Sequence, residues 1–277
     1  MRQPVSSSNT AAIALLTDFG LRDNYVGVMK GVMAGIVPQA SFIDLTHEIP
    51  PQDVLAGAWA LGTGYRYFPG GSVFLCVVDP GVGSTRAPIA FQAGDWYFVG
   101  PDNGLFHFVL AEQPVHTIVK LTNQAYHLPI VSATFQGRDV FAPVAAHIAA
   151  GRPLSELGEM LSVDTLRQLE LQPPLVKKDR IESEIIYIDQ FGNLISSIHL
   201  NLLPDFFERS TVRLLFPGKQ LMITERRRFF AASDDEQQPF LYVDSSGYIG
   251  IAICNGSAAR QLDIQRGEAA TLLFNNK

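Results

Sequence analysis

Residues 11–83 read AAIALLTDFGLRDNYVGVMKGVMAGIVPQASFIDLTHEIPPQDVLAGAWALGTGYRYFPGGSVFLCVVDPGVG, and this stretch decides the fold. Short apolar runs alternate in it with longer segments whose apolar residues have helical spacing. The predicted strands are Ala11–Leu16, Ser41–Leu45 and Gly71–Val78, and the predicted helices are Tyr25–Val37 and Asp53–Tyr67, with Asp53 as N-cap. This alternation is typical of a mostly parallel, Rossmann-like sheet with helices on its faces.

The rest of the chain divides into two parts. Further strands are predicted at Trp96–Gly100 and Val115–Lys120, and a helix at Val140–Ala150. A Pro- and Lys-containing stretch, Asp164–Lys178, is typical of a linker. Beyond it the pattern changes to short strands and turns, listed as Glu182–Asp189, Leu194–Leu200, Thr211–Phe216, Phe240–Val243, Ile249–Cys254 and Ala270–Phe274. We predict an N-terminal α/β domain over residues 1–175 and a smaller, all-β C-terminal domain, a barrel, over residues 180–277.

Composition excludes several classes of protein. The 277 residues carry a net charge of -6, which argues against a nucleic-acid partner because that needs a basic face. Cys76 and Cys254 each lie in an apolar run, as buried thiols in a reducing compartment do. No stretch has the apolar length of a membrane span, and the Ser-rich start, expected to be frayed, lacks a signal-peptide core. We expect a cytoplasmic protein that does not contact a membrane.

Polar clusters follow the predicted strands. They are Asp18 with Asp23 and Tyr25, Asp44 with Thr46 and His47, Asp79 with Arg86, Pro101–Gly104, and Thr134–Asp139. Each alone suits an ordinary turn, but the carboxyl ends of parallel strands share one sheet edge, where ligands bind. No CxxC pair, HExxH or P-loop occurs, so we expect no metal site and no nucleoside-triphosphate cradle.

Five runs of residues carry a resemblance to a known family. They are Thr17-Asp18-Phe19-Gly20, Asp79-Pro80-Gly81-Val82-Gly83, Pro101-Asp102-Asn103-Gly104, Gly137-Arg138-Asp139 and Asp189-Gln190-Phe191-Gly192-Asn193. In this order they resemble the S-adenosylmethionine (SAM) hydroxide adenosyltransferases, the SAM hydrolases, which share a superfamily with the SAM-dependent fluorinase and chlorinase. The resemblance runs from about residue 13 to residue 258. It implies an α/β domain followed by a β-barrel, and a homotrimer with SAM between the N-terminal domain of one subunit and the C-terminal domain of the next.

The activity that the resemblance implies is attack of water on the ribose C5′ of SAM, which gives adenosine and methionine. The sulfonium leaves as a neutral thioether, so no general acid and no cofactor is expected; SAM is the substrate. The family's catalytic Asp and Arg correspond to Asp79 and Arg86, and Gln136 stands where the family commonly has His. Gln cannot titrate, but it can orient a water through hydrogen bonds. From the residues alone, Asp79 could equally cap a turn and Arg86 could be a surface cation.

The resemblance also implies ligand contacts, each with a structural alternative. Asp18 resembles the carboxylate that accepts hydrogen bonds from the ribose hydroxyls, and Asp189 the one that meets the methionine amino group. The other implied contacts are Phe135, Phe191, Asn193, Ser246, Asn255 and Ala258. The two phenylalanines could instead fill core, and the others could be turn residues. Asp44 and His47 are expected to be structural, with His47 hydrogen-bonded beside the site.

Two other functions compete with hydrolysis. The rival enzyme is a chlorinase-like, SAM-dependent halogenase: Gly137 fits the hydrolases and also resembles the chlorinase, where a small residue leaves room for a larger halide. However, the charge of Asp79 disfavours a desolvated anion unless Arg86 offsets it. A SAM- or adenosine-binding protein without turnover fits Gln136, since the titratable His is missing.

Overall fold

The first unit, residues 1–169, is built on a seven-stranded sheet in a computed structural model that describes residues 12–230 and 237–275. The Ser-rich start lies outside the described residues. The strands are β1 (Ala12–Thr17), β2 (Ser41–Thr46), β3 (Val73–Val77), β4 (Pro88–Ala93), β5 (Trp96–Pro101), β6 (Val115–Lys120) and β7 (Glu159–Met160). The helices are α1 (Tyr25–Ile36), α2 (Val54–Gly64), α3 (His107–Glu112) and α4 (Ala142–Ala149).

The strand order is β2-β1-β3-β5-β4-β6-β7, and the four strands at its start, β2, β1, β3 and β5, run parallel. The prediction of a mostly parallel sheet is therefore confirmed. Strand β4 was not predicted; it pairs antiparallel with both β5 and β6. It forms a hairpin with β5 through Gly94, whose φ of 53° suits a tight turn.

Both faces of this sheet are covered, which explains why its strands are continuously apolar. Ile13 and Leu15 of β1 pack with Met29 and Met33 of α1 and with α4 in one buried cluster. Leu16 points to the opposite face, where α2 packs closely at Gly57. Asp53 caps α2 as predicted: its carboxylate accepts a hydrogen bond from the Ala56 N–H at 3.0 Å.

The predicted helix Val140–Ala150 begins earlier than expected. A π-helical turn, Gly137–Phe141, precedes α4 and continues into it. Such turns are frequent at functional sites, and this one carries Gly137-Arg138-Asp139.

The second unit, residues 170–277, is an antiparallel β structure. Its strands are β8 (Leu175–Val176), β9 (Arg180–Ile188), β10 (Leu194–His199), β11 (Val212–Phe216), β12 (Leu221–Ile223), β13 (Phe240–Val243), β14 (Tyr248–Ala252) and β15 (Ala269–Phe274), with a short helix α5 (Ala258–Gln261). The order β12-β11-β15-β9-β10-β14-β13 nearly closes, because the segment after β12 hydrogen-bonds to Leu241 of β13. The predicted barrel-like, all-β character is confirmed. Its core is apolar and includes Phe206, Leu214 and Ile251.

Candidate active site

The sheet register brings two carboxylates to one edge. Thr17, the last residue of β1, pairs with Val77, the last residue of β3, and the two strands are parallel. Asp18 and Asp79 follow these residues, so both lie beyond the carboxyl ends of neighbouring strands. Both line one cleft of about 400 Å³, at the place where open α/β sheets bind ligands.

A tight turn folds Arg86 back onto Asp79. The Val82 N–H donates to the Asp79 carbonyl and the Ser84 N–H to the Gly81 carbonyl, which reverses the chain. Arg86 Nε donates to both carboxylate oxygens of Asp79 at 3.0 Å, and Nη2 also donates to Oδ2. Each side chain is only 4% exposed. The structure therefore makes Arg86 the buried partner of Asp79 and not a surface cation.

Gln136 completes this network. Arg86 Nη2 donates to Gln136 Oε1 at 2.6 Å. Because a guanidinium has donors only, the amide atom that faces it is the oxygen, and the amide NH₂ remains for other partners. The guanidinium carbon also lies 5.3 Å from the centre of the Phe141 ring. One arginine thus fixes the carboxylate of Asp79 and the amide of Gln136, both of which line the cleft.

The histidine nearest to Gln136 in sequence, His127, does not line the cleft. It lines a second cavity of about 600 Å³, which Gln136 also borders. His127 Nε2 is buried with no hydrogen-bond partner among the described residues. Burial lowers the pKa of His127, so the ring is neutral at pH 7.

An aromatic wall forms one side of the cleft. Phe135 packs edge-on against Tyr25 at 5.1 Å and against Phe19 at 6.0 Å between ring centres. Phe135 was predicted as a ligand contact and does line the cleft, although it also packs against the core. Phe19 and Tyr25 were not predicted as contacts; the available signals were that Phe19 directly follows Asp18 and that Tyr25 begins the next predicted helix. An aromatic wall suits a flat heterocycle such as a purine.

The remaining cleft-lining residues come from the strand ends and the loops before the helices. They are Pro51, Gln52, Val77, Pro80, Val82, Thr134 and Gly137. Gln52 has a direct structural role, since its N–H donates to Asp18 Oδ2 at 2.8 Å. Its φ of 66° is rare for a residue with a side chain, and no sequence signal pointed to it.

The loop that carries Asp79 touches the loop that carries Gln136. Gly83 has a φ of 79°, and a Cβ placed there would lie 2.8 Å from the Ala133 carbonyl oxygen. Only glycine can both adopt this positive φ readily and lie this close to the Ala133 carbonyl without a shift of the backbone. This close approach holds Gln136 within reach of Arg86.

Arg138 and Asp139 pair with each other. Arg138 Nε donates to Asp139 Oδ1 at 2.6 Å, and the Ser132 N–H donates to Oδ2 at 2.7 Å. Burial raises the pKa of Asp139, but these hydrogen bonds outweigh it and hold the pKa below its usual value. Asp139 is fully buried, so the pair braces the loop before the π-helical turn.

In the second unit, Asp189, Phe191 and Asn193 share one turn. Asp189 Oδ1 accepts from the Phe191 and Asn193 N–H groups at 2.9 Å, and Oδ2 accepts from Asn193 Nδ2 at 2.7 Å. Asp189 therefore organises its own turn with both oxygens. Asn193 is buried, whereas the Phe191 ring is 75% exposed.

The other predicted contacts of this unit divide between the two ends of β14. Asn255 and Ala258 follow β14, and their segment packs on the Asp189 turn, because the Ala259 N–H donates to the Gly192 carbonyl at 2.9 Å. Asn255 is exposed and Ala258 is fully buried. Ser246 precedes β14, in the turn where Asp244 Oδ1 accepts its N–H. The strand between them spans roughly 16 Å, so Ser246 stands apart from the other five.

Within residues 12–230 and 237–275, no three His, Cys, Asp or Glu side chains are grouped to hold a metal ion. Burial raises the pKa of the Cys76 thiol, which is typical of an unreactive core cysteine. Over the same residues, no helix is long and apolar enough to cross a membrane.

Comparisons with known proteins agree with this geometry. Residues 13–158 match the family model described as the SAM hydroxide adenosyltransferase N-terminal domain, and residues 183–271 match the corresponding C-terminal domain. The chain is 38% identical to the (R)-S-adenosyl-L-methionine hydrolase of Thermus thermophilus, over 94% of this chain and 99% of that one. It is 28% identical to a fluorinase of an Actinoplanes species, over 94% of this chain and 96% of the relative.

Among solved structures, an uncharacterized conserved protein from Thermotoga maritima superposes with a TM-score of 0.86 at 36% identity, covering 94% of this chain and 99% of that one. The family predicted from the five motifs is confirmed. The chain belongs to the SAM hydroxide adenosyltransferase family.

Proposed function

We propose that this chain hydrolyses SAM to adenosine and methionine. The observation that carries the proposal is the Asp79–Arg86–Gln136 network, buried at the edge of an aromatic-walled cleft in a chain of this family. The family models and the name of the 38% identical relative support the same activity. That name also supports the R configuration at sulfur for the substrate.

In this reaction a water oxygen attacks C5′ in line with the sulfonium. The O–C5′ bond forms as the C5′–S bond breaks, and the bonding electron pair goes to sulfur, so methionine leaves as a neutral thioether. The departing group needs no proton and we expect no cofactor. What the protein must supply is alignment of oxygen, carbon and sulfur, and a water with hydroxide character.

We assign those tasks to the buried network. Asp79 accepts a hydrogen bond from the water and takes its proton, which then passes to solvent. The Arg86 guanidinium holds the Asp79 carboxylate in place through its paired hydrogen bonds and stabilises negative charge that develops on the water oxygen. Gln136 offers its amide NH₂ to orient the water, because its oxygen already accepts from Arg86. Titration at position 136 is therefore not required.

We assign the adenosyl half of SAM to the same cleft. Asp18 presents a carboxylate for the ribose hydroxyls, and its second oxygen is fixed by the Gln52 N–H. Phe135 provides an aromatic face for the ligand, with Phe19 and Tyr25 beside it. The methionine end is assigned to the second-unit residues Asp189, Phe191, Asn193, Asn255 and Ala258; Ser246, at the other end of β14, is not included in this assignment.

We further propose a cytoplasmic homotrimer in which each site lies at a subunit interface, as the family resemblance implies. An exposed aromatic ring at Phe191 supports this, since such rings are enriched at interfaces and binding sites. Light scattering coupled to gel filtration tests it: a trimer mass is expected, and a monomer mass at working concentration contradicts it.

Turnover is tested with purified protein and SAM in halide-free buffer, with adenosine and methionine followed by chromatography. Asp79→Asn is expected to lower kcat by about 10²–10⁴-fold while calorimetry still detects SAM binding. Asp95→Asn is the matched control, because Asp95 is exposed in the β4–β5 turn, and it should keep the wild-type rate. Full activity of Asp79→Asn would contradict the assigned role.

The same assay separates the two competing functions. A halogenase requires added chloride or fluoride before SAM disappears; Gly137 favours this option by leaving space, and Asp79 disfavours it by charge. A binding protein without turnover retains SAM binding and forms no product with or without halide. In that case Gln136→His is the variant to examine, since it returns the family residue.

A further inference from the structure

We propose that His47 is a positioning residue that holds the substrate-binding loop Thr17–Gly20 in place for the adenosyl half of the ligand. The loop carries Asp18 and Phe19, both of which line the cleft. The inference rests on the proposed function, because it concerns how tightly the same site binds SAM. His47 itself does not line the cleft, so it acts through its neighbours.

His47 is hydrogen-bonded to both ends of this loop. Its backbone carbonyl accepts the Gly20 N–H at 2.8 Å. Its ring Nδ1 lies 2.8 Å from Thr17 Oγ1, and the same hydroxyl accepts the Phe19 N–H at 3.3 Å. Asp18 lies between these fixed points, and the Gln52 N–H holds its carboxylate from outside.

The other ring nitrogen of His47 faces a carboxylate. His47 Nε2 lies 2.9 Å from Asp44 Oδ1, although the approach is too oblique for a well-formed hydrogen bond. Lys30 Nζ lies 2.7 Å from the other oxygen of Asp44. Burial raises the pKa of Asp44, but its contacts with Lys30 and His47 outweigh this and lower it, so the carboxylate is charged at pH 7.

The carboxylate of Asp44 favours the tautomer of His47 with its N–H at Nε2, and in that tautomer Nδ1 is an acceptor. The Thr17 hydroxyl then donates a hydrogen bond to Nδ1 and accepts one from the Phe19 N–H. The hydrogen bonds therefore run in one direction, from the Phe19 N–H through Thr17 to His47. Thr17 is fully buried and His47 is 3% exposed, which means that water cannot replace either partner. Removal of either side chain frees the loop that orients Asp18.

The test compares SAM binding and turnover in variants at both positions. His47→Leu and Thr17→Val are each expected to raise the Kd and KM for SAM about tenfold, the factor for one weakened charge-assisted hydrogen bond. The kcat should stay within about threefold, because Asp18 is assigned to ribose hydroxyls and not to the attacking water. The double variant should bind no more weakly than either single variant, since both remove the same link.

Two controls distinguish positioning from simple loss of stability. His47→Asn keeps an acceptor near the place of Nδ1 and should restore most of the affinity. Ser72→Ala removes another buried hydroxyl of this unit, which donates to the Pro69 carbonyl at 2.7 Å, and should lower the Tm without a change in Kd. If His47→Leu and Thr17→Val lower the Tm but bind SAM like wild type, the inference is wrong. If wild-type protein neither binds nor consumes SAM, it is the proposed function that fails.

Discussion

A double-mutant cycle on Asp79 and Arg86 should show that the two side chains stabilise each other strongly in the folded protein. Arg86→Met leaves the Asp79 carboxylate without its counter-charge where the side chain is only 4% exposed, at a cost of about 3–5 kcal/mol. Asp79→Asn leaves the guanidinium with neutral acceptors, the new amide and Gln136 Oε1, at a cost of about 1–3 kcal/mol. The double variant carries no charge at this place. It should therefore be less destabilised than the sum of the two, by about 2 kcal/mol.

Urea denaturation of the wild type, the two single variants and the double variant, followed by circular dichroism, gives the four free energies of unfolding that define this coupling. The matched control is the exposed pair Arg228–Glu208, whose side chains are 62% and 56% exposed and whose charged atoms lie 3.0 Å apart. The same cycle on that pair should give a coupling below about 1 kcal/mol. Additive effects at Asp79 and Arg86, or equal coupling in both pairs, would refute the view that burial makes this ion pair essential.

Three other perturbations follow from the same structure. Gln136→Leu keeps the volume but removes the amide, so kcat for SAM hydrolysis should fall about 10–100-fold with KM little changed; an unchanged kcat would remove Gln136 from the site. Gly83→Ala should destabilise by about 1–2 kcal/mol more than Gly71→Ala, because both have positive φ but only Gly83 faces a backbone oxygen; calorimetric melting measures the difference. The pKa of His127 is lowered by burial, so its contribution to stability is present above about pH 6.5 and lost below it. The Tm should fall from about pH 7.5 to about pH 5.5, and His127→Gln should flatten that fall; equal slopes would contradict it.

The fold was predictable where the local sequence pattern of a segment agreed with the burial and capping of that segment in the folded protein. The continuous apolar runs at β1 and β3 predicted strands buried on both faces, and the Asp53 cap marked the start of α2. Strand β4 was missed because it begins with Pro88 and has a weak strand pattern. Its place between β5 and β6 depends on long-range pairing, which no local pattern encodes.

The site was predictable in its polar residues and in Phe135, but not in the other two rings of its aromatic wall, Phe19 and Tyr25. Asp18 and Asp79 could be placed together because parallel strands end at one edge and their motifs follow those strands, whereas Gln136 was placed beside them by the family resemblance. The role of Arg86 as a buried partner depended on a turn whose path was not evident from spacing. Gln52 contributes a backbone N–H in a left-handed conformation, which side-chain chemistry does not reveal. Ser246 precedes the predicted strand Ile249–Cys254 and Asn255 follows it, so their separation to opposite ends of β14 was already evident from the sequence.

Turnover of SAM in halide-free buffer made with ¹⁸O-labelled water identifies the nucleophile. Attack by water at C5′, with Asp79 and Arg86 in the assigned roles, predicts that adenosine carries ¹⁸O at its 5′ position and forms in proportion to enzyme. It also predicts that methionine carries none. Unlabelled adenosine, or product that forms only when a halide is added, would contradict the central claim that water is the nucleophile.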